Sequence, residues 1–239
     1  MLGELSTIIA ALCWALGASL YKKGMLNVGP VTLNLFRSLS ATVYAFLALY
    51  LLGKWIFLSE LDMVSLAYIG ISSLLVLAAG DTLYFIGLKS VGVAKTVPIA
   101  YSYSIFVALI STTFLGESMT ASILLGTAAV VLGVWLVAGR AENKVSENGT
   151  QKLGILAALG TSVCWACGLV LFKVILANID PFVLASVRML LLLPVLGVFT
   201  IFPSETRSSI RHLTRSNIIT MVLGGLISLG VGDTLLYLG

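Results

Sequence analysis

Eight runs of mostly apolar residues occupy nearly the whole chain, at about 5–21, 31–52, 63–88, 96–115, 119–138, 153–172, 182–202 and 218–238. A transmembrane helix needs about 20 such residues in a row. Inside lipid only helices or closed barrels satisfy every backbone group, and no alternating ten-residue strand pattern is present. The spacing therefore predicts an all-α membrane protein with eight spans. Composition agrees: 59% of the 239 residues are apolar and 10% are charged, against roughly 45–50% and about 25% in soluble domains. Too few charges remain to cover a water-facing surface, which argues against a soluble enzyme, a disordered chain or a disulfide scaffold. Cys13, Cys164 and Cys167 all fall inside apolar runs, which suits reduced thiols. Met1 to Glu4 carry no basic residue, so the first run is expected to be retained as a span and not cleaved as a signal peptide. The net charge of +4 lies mostly in loops, where it sets topology and is no sign of nucleic-acid binding.

The runs are related in pairs. Cys13, Trp14 and Ala15 return as Cys164, Trp165 and Ala166, an offset of 151. The same offset carries Gly17 to Gly168, Lys22 to Lys173, Asn27 to Asn178, Pro30 to Pro181 and Arg37 to Arg188. Gly80, Asp81, Thr82 and Leu83 return as Gly232, Asp233, Thr234 and Leu235 at offset 152. Residue types this uncommon, in one register, mark an internal duplication. Residues 1–138 form a first repeat of five spans, 139–152 a polar linker, and 153–239 a second, incomplete repeat of three. Five spans separate the two starts, and an odd number reverses direction. The fold expected is a helical bundle of two inverted-topology repeats, a recurring design of secondary transporters with the substrate near the midplane. The sequence ends at Gly239, the counterpart of Gly87, about fifty residues earlier in the repeat than the first copy does. The expectation is a truncated ten-helix parent, or a partner chain that supplies two helices.

Four charges fall within apolar runs: Arg37, Asp81, Arg188 and Asp233. Each costs roughly 2.5–3.5 kcal/mol at a helix centre if unpaired. Arg37 lies seven residues past Pro30, and Asp81 eight before Lys89. At 1.5 Å per residue that is about 10 and 12 Å from one face. Arg37 and Asp81 are thus able to share a level, and by inversion so are Arg188 and Asp233. One reading makes each pair a gate or coupling site; the other is a structural ion pair, or an arginine snorkelling to the interface. A carboxylate held by a lasting arginine partner is a poor proton carrier. Lys22 and Lys173, at the ends of spans one and six, are snorkelling anchors or anion attractors.

Trp14, Trp165, Tyr84, Tyr101, Tyr103 and Tyr237 are candidates to line a substrate cavity, since aromatic walls suit apolar or cationic ligands. Ordinary helix packing or an interfacial belt is the alternative. Glu117 is expected to cap the fifth span, Pro98 to begin the fourth, and Gly126 with Gly133, and Gly224 with Gly225, to allow close helix contacts. Cys164 and Cys167 have redox spacing but lie mid-span, Asn148 starts a glycosylation sequon by pattern alone, and His212 is the single histidine. No zinc-ligand cluster, phosphate-binding loop or nucleophile–base set is present, so neither an enzyme, a metal nor a cofactor is expected.

Trp14, Ala15 and Gly17 with Lys22, Pro30 and Arg37, then Pro98, then Leu115, Gly116 and Glu117 before a glycine-rich fifth span, form an ordered set. Trp165, Gly168, Lys173, Pro181 and Arg188 repeat its first part. In this the chain resembles the EamA-like transporters of the drug/metabolite transporter superfamily over nearly its whole length. The resemblance implies ten helices in two inverted five-helix repeats, movement of small metabolites without ATP, and a cavity lined by helices one, three and four of each half. The chain departs in having eight spans, and in lacking an acidic residue in the middle of span one, such as the related small multidrug exporters use. The expected function is secondary transport of a small metabolite by alternating access in the cell membrane. The alternative is a non-transporting fragment or membrane subunit. The expected partners are a small-molecule substrate and the lipid bilayer, with a homo-oligomer or a partner chain completing the second repeat. Ten Lys and Arg on the face reached after span one against two on the other put the N-terminus outside, whereas the resemblance implies inside.

Overall fold

A computed structural model describes residues 2–25, 28–138, 148–176, 179–201, 210 and 213–238. Most of the polar linker (139–147) and His212 lie outside the described residues, as does the side chain of Asn148. Helix α1 spans Leu2–Gly24 and α2 spans Pro30–Leu51. Proline at the first position of α2 forfeits an N–H that has no helical partner there. Gly53 closes α2 with a left-handed φ of 68°, and a short 3-10 helix, Lys54–Glu60, follows. Asp62 then starts α3 (Met63–Ser73): its Oδ1 accepts from the Ser65 N–H at 2.9 Å. The hydrogen bonds from Ser65 hold that carboxyl below the usual carboxylate range.

A π-helical turn, Leu74–Gly80, continues α3 into α4 (Asp81–Val91). Then come α5 (Val93–Tyr101), α6 (Tyr103–Phe114), α7 (Ala121–Ala138), α8 (Asn148–Leu176) and α9 (Pro181–Ile201). The last span runs through α10 (Arg215–Gly225), a second π turn (Leu226–Gly232) and α11 (Asp233–Leu238). No strand occurs among the described residues. Among the described residues seven helices are long and apolar enough to cross a membrane, and α7, the fifth expected span, runs 18 residues.

Two local expectations are corrected. Pro98 does not begin the fourth span but lies inside α5, and the span breaks four residues later at Ser102. There the Ser102 N–H turns to the Pro98 and Ile99 carbonyls, and its hydroxyl donates to Ile99 O at 2.6 Å. Proline removes one N–H and crowds the preceding turn, but the helix bonds on either side carry the chain through. A Cβ on Gly126 or Gly133 would meet nothing within 4 Å among the described residues, because that stretch of α7 is mostly exposed.

The described helices gather into two compact units, Met1–Ser73 with Val174–Gly239, and Leu74–Lys173. Each unit joins helices from both sequence repeats. In the first, α2 packs on its repeat mate α9, and α10 packs on α1 and α2. The chemistry of α2 is inside-out: Asn34, Ser38, Ser40 and Thr42 are buried, while Leu39, Val43 and Leu47 are 48%, 63% and 55% exposed. Lipid is as apolar as leucine, so burying large side chains gains little there, and small residues that let backbones approach win the interior. The Ser40 and Thr42 hydroxyls are satisfied by the carbonyls of Arg37 and Ser38, at 2.7 and 2.8 Å.

The glycine pair expected to allow close contact does so. A Cβ on Gly224 would meet the Tyr21 ring, and one on Gly225 would overlap the Ser40 hydroxyl and the Arg37 backbone. The start of α10 is a reciprocal cap: Asn217 N–H donates to Thr214 Oγ1 at 3.2 Å and Thr214 N–H to Asn217 Oδ1 at 3.1 Å. The Asn217 amide also donates to the Gly24 carbonyl at 2.9 Å, closing the end of α1. Asn217→Ala removes the returning half of the cap and this cross-helix bond, and is expected to cost about 1–3 kcal/mol. A melt in detergent that matches the parent protein would show that neither bond contributes. In the second unit α5 packs on α4, α6 and α7. The start of α8 closes on α4, where a Cβ on Gly154 would strike Val91 and Ser90.

Candidate functional site

The two π turns are repeat mates, 74–80 and 226–232, and each hands an aspartate to the helix that follows. A π turn inserts one residue into the α ladder and re-aims the side chains beyond it, and such turns cluster at functional sites. In the first unit the Trp14 indole N–H donates to Asp233 Oδ1 at 3.0 Å. In the second the Trp165 indole N–H donates to Asp81 Oδ1 at 2.9 Å. Both aspartates are buried, at 7% and 4% exposure. Each pair joins the tryptophan of one repeat to the aspartate of the other. The last residue of each π turn makes this possible: a Cβ on Gly80 would lie 2.6 Å from the Trp165 ring, and one on Gly232 3.0 Å from the Trp14 ring. Only glycine lets the indole lie flat enough against the backbone to reach the next side chain.

Beyond that shared core the repeats diverge. Tyr237 donates to Asp233 Oδ2 at 3.1 Å and accepts from the Arg188 guanidinium, so its phenol links arginine to carboxylate. The repeat mate of Tyr237 is Phe85, fully buried and without a hydroxyl. In the second unit, rings gather on Trp165 instead: Tyr84 at 5.3 Å between centroids, and Tyr101 and Tyr103 edge-on at 5.8 Å each. Of the six aromatic candidates, Trp165, Tyr84, Tyr101 and Tyr103 thus form one cluster, while Trp14 and Tyr237 meet at Asp233.

The arginines do not snorkel to an interface; Arg37 is 4% and Arg188 2% exposed. Arg37 Nε donates to Asn34 Oδ1 at 2.9 Å, and its guanidinium lies 5.2 Å from the centre of the Tyr21 ring. Arg37 belongs to the first unit and Asp81 to the second. Lys22 is exposed at the end of α1. Lys173 pairs with Glu117 Oε1 at 2.6 Å. Glu117 does not cap the fifth span: it precedes α7 by four residues, and the Thr120 hydroxyl accepts from the Ile123 N–H in its place. Lys54 and Asp180 form a second ion pair, at 2.5 Å. Among the described residues no group of three His, Cys, Asp or Glu side chains is placed to hold a metal.

The sequence model of the EamA-like transporter family matches residues 1–139 and 152–239. The chain belongs to the EamA-like transporter family. A relative from Archaeoglobus fulgidus, described as an uncharacterized transporter, is 31% identical over 219 residues, 90% of this chain and 74% of that protein. A solved crystal structure shares the fold with a TM-score of 0.77, covering 99% of this chain and 78% of its own, at 18% identity. With seven helices of membrane length among its described residues, this EamA-like protein is a multi-pass membrane transporter.

Several site residues escaped sequence reasoning. Asn34 and Tyr21 support Arg37, and the Tyr21 hydroxyl bonds the Gly224 carbonyl at 2.9 Å and the Ser228 hydroxyl. Nothing in their spacing marks them. The π turns read as plain apolar helix in the EamA-like chain, since hydropathy does not distinguish a π turn from an α turn. The recurrence of Gly80 and Asp81 as Gly232 and Asp233 was the one signal that pointed at them.

Proposed function

We propose that this EamA-like protein carries a small metabolite across the cell membrane by alternating access of its two inverted repeats. The observation that supports this reading is the duplicated latch: Trp14 on Asp233 in one unit and Trp165 on Asp81 in the other. Inverted repeats present equivalent parts to opposite sides of the bilayer. A device built twice in such repeats serves each side in turn, one latch loosening as the other holds. Each latch ties a buried carboxylate of one repeat to the indole N–H of the other, so breaking it changes the hydrogen bonding of a charged group inside the unit. The ring cluster of Trp165, Tyr84, Tyr101 and Tyr103 suits an apolar or cationic portion of the substrate.

The test is uptake into proteoliposomes across a metabolite panel and a range of pH, with Asp81→Asn and Asp233→Asn made singly. Each change is expected to cut transport at least tenfold, since a charge-assisted bond contributes about 1.5–3 kcal/mol. A change in pH dependence in one variant alone would assign that carboxylate to coupling. Unchanged uptake in both would sink the latch reading.

A further inference from the structure

Apart from the Trp165–Asp81 latch, the second unit holds a cleft of about 300 Å³ formed by α6, the loop after it, the start of α7 and the end of α8. Its rim carries the Lys173–Glu117 pair, with 60% and 36% of the two side chains exposed. Its walls pass through Val107, Leu169 and Ile123 and reach Ser111. Ser111 is 5% exposed, and its hydroxyl has no hydrogen-bond partner among the described residues. The hydroxyls of Thr32, Ser38 and Thr96 share this state among the described residues, but of these only Ser111 lines this cleft, where a ligand group or a bound water would complete it.

The order of these groups along the membrane normal is informative. Glu117 lies three residues past the end of α6 at Phe114, and Lys173 three residues before the end of α8 at Leu176. Both charges therefore stand at the membrane boundary, Ser111 sits about one helical turn deeper, and the apolar walls continue inward. Charge at the rim over an apolar trough is the polarity profile of an amphiphile. Two opposite charges 2.6 Å apart also select the head: an ammonium facing Glu117 and a phosphate facing Lys173 satisfy both. A purely anionic head would meet Glu117 with like charge, and a purely cationic one would meet Lys173. The exposed flank of the cleft, Met119 at 37% and Ile123 at 42%, leaves room for an acyl chain to run out along α7.

We propose that this cleft binds the headgroup of a zwitterionic phospholipid, with Lys173 on the phosphate, Glu117 on the ammonium and the Ser111 hydroxyl donating to a phosphate or ester oxygen. The cleft borders the ring cluster of the transport reading at Tyr103, but the proposal uses only Lys173, Glu117 and Ser111, and its readout is binding. The purified full chain in detergent is titrated with dihexanoyl phosphatidylethanolamine, followed by thermal melting and by native mass spectrometry. A saturable rise in Tm and a retained adduct are expected. Lys173→Gln, Glu117→Gln and Ser111→Ala are each expected to weaken the apparent affinity at least fivefold while the lipid-free Tm stays close to the parent value. The two rim residues are exposed enough that their variants fold, which keeps the test open if Ser111→Ala does not. Equal shifts with dihexanoyl phosphatidylglycerol, equal affinity in all three variants, or no shift at all would overturn the proposal. An equal shift from free phosphoethanolamine would overturn the lipid as its source and assign the cleft to a soluble zwitterion.

Discussion

Gly225→Ala is expected to destabilise the fold strongly and to lower the Tm by several degrees or more. At this position α10 crosses α2 so closely that an added methyl group would overlap the Ser40 hydroxyl and the Arg37 carbonyl, and stand 2.8 Å from the Arg37 Cα. A side chain in the way can rotate; backbone in the middle of a helix cannot, so α10 itself must move. Overpacking that side chains absorb costs about 1–3 kcal/mol, and this clash belongs at or above the upper end. Against a total stability of roughly 5–15 kcal/mol, that is a large share. The displacement would also carry the Gly224 carbonyl away from the Tyr21 hydroxyl. The measurement is thermal melting and size exclusion in detergent, with Gly126→Ala as the control. Gly126 is helical and a Cβ there would meet nothing within 4 Å among the described residues, so alanine is expected to be neutral or slightly stabilising, by up to about 1 kcal/mol. A monodisperse Gly225→Ala protein with the parent Tm would refute the close crossing.

The second large effect is expected at the latches. Trp14→Phe and Trp165→Phe each remove an indole N–H from a buried carboxylate at 3.0 and 2.9 Å, leaving an apolar ring in its place. A hydrogen bond to a charged group contributes about 1.5–3 kcal/mol, and the smaller ring also loses packing. A double-mutant cycle separates the two contributions. Trp14→Phe is combined with Asp233→Asn, and Trp165→Phe with Asp81→Asn. Packing loss is the same with and without the carboxylate; the hydrogen bond is not. A coupling energy of at least about 1 kcal/mol is expected for each pair. Cycles that close to zero would mean that the contacts are geometric only. The first pair has an added check, because Tyr237 also donates to Asp233. Tyr237→Phe copies the residue that the first repeat carries at Phe85, and is expected to raise the coupling between Trp14 and Asp233 as the carboxylate leans on its remaining donors.

Much of the site was legible as a list and little of it as an arrangement. Trp14, Trp165, Asp81 and Asp233 stood out because rare residue types recur in register, a signal that needs no three-dimensional knowledge. Reading Asp81 with Arg37, and Asp233 with Arg188, rested on depth along a helix, which fixes a level but leaves the azimuth open. At Asp233 the donors include an indole from the other repeat and a phenol that carries Arg188 with it. The snorkelling expectation for the arginines failed for a related reason. Their distance from a helix start allowed an escape to the interface, but Asn34, Tyr21 and Tyr237 supply partners that make burial the lower-energy choice.

By itself the sequence determined the membrane class and the approximate positions of the spans, and its internal recurrence carried the expectation of an inverted duplication. These follow from quantities that add up locally: the cost of each residue in lipid, and the parity of the spans between two copies. Only the tertiary structure decided that compact units mix helices of both repeats, that each aspartate takes its tryptophan from the other copy, and that a π turn and a glycine bring them within reach. Partner choice depends on which faces of distant helices meet. Hydropathy, which charges every residue for lipid exposure without regard to its neighbours, carries no information about that. The 10% of charged residues shows the division plainly: the sequence placed four of them inside apolar spans, and the fold assigned their partners.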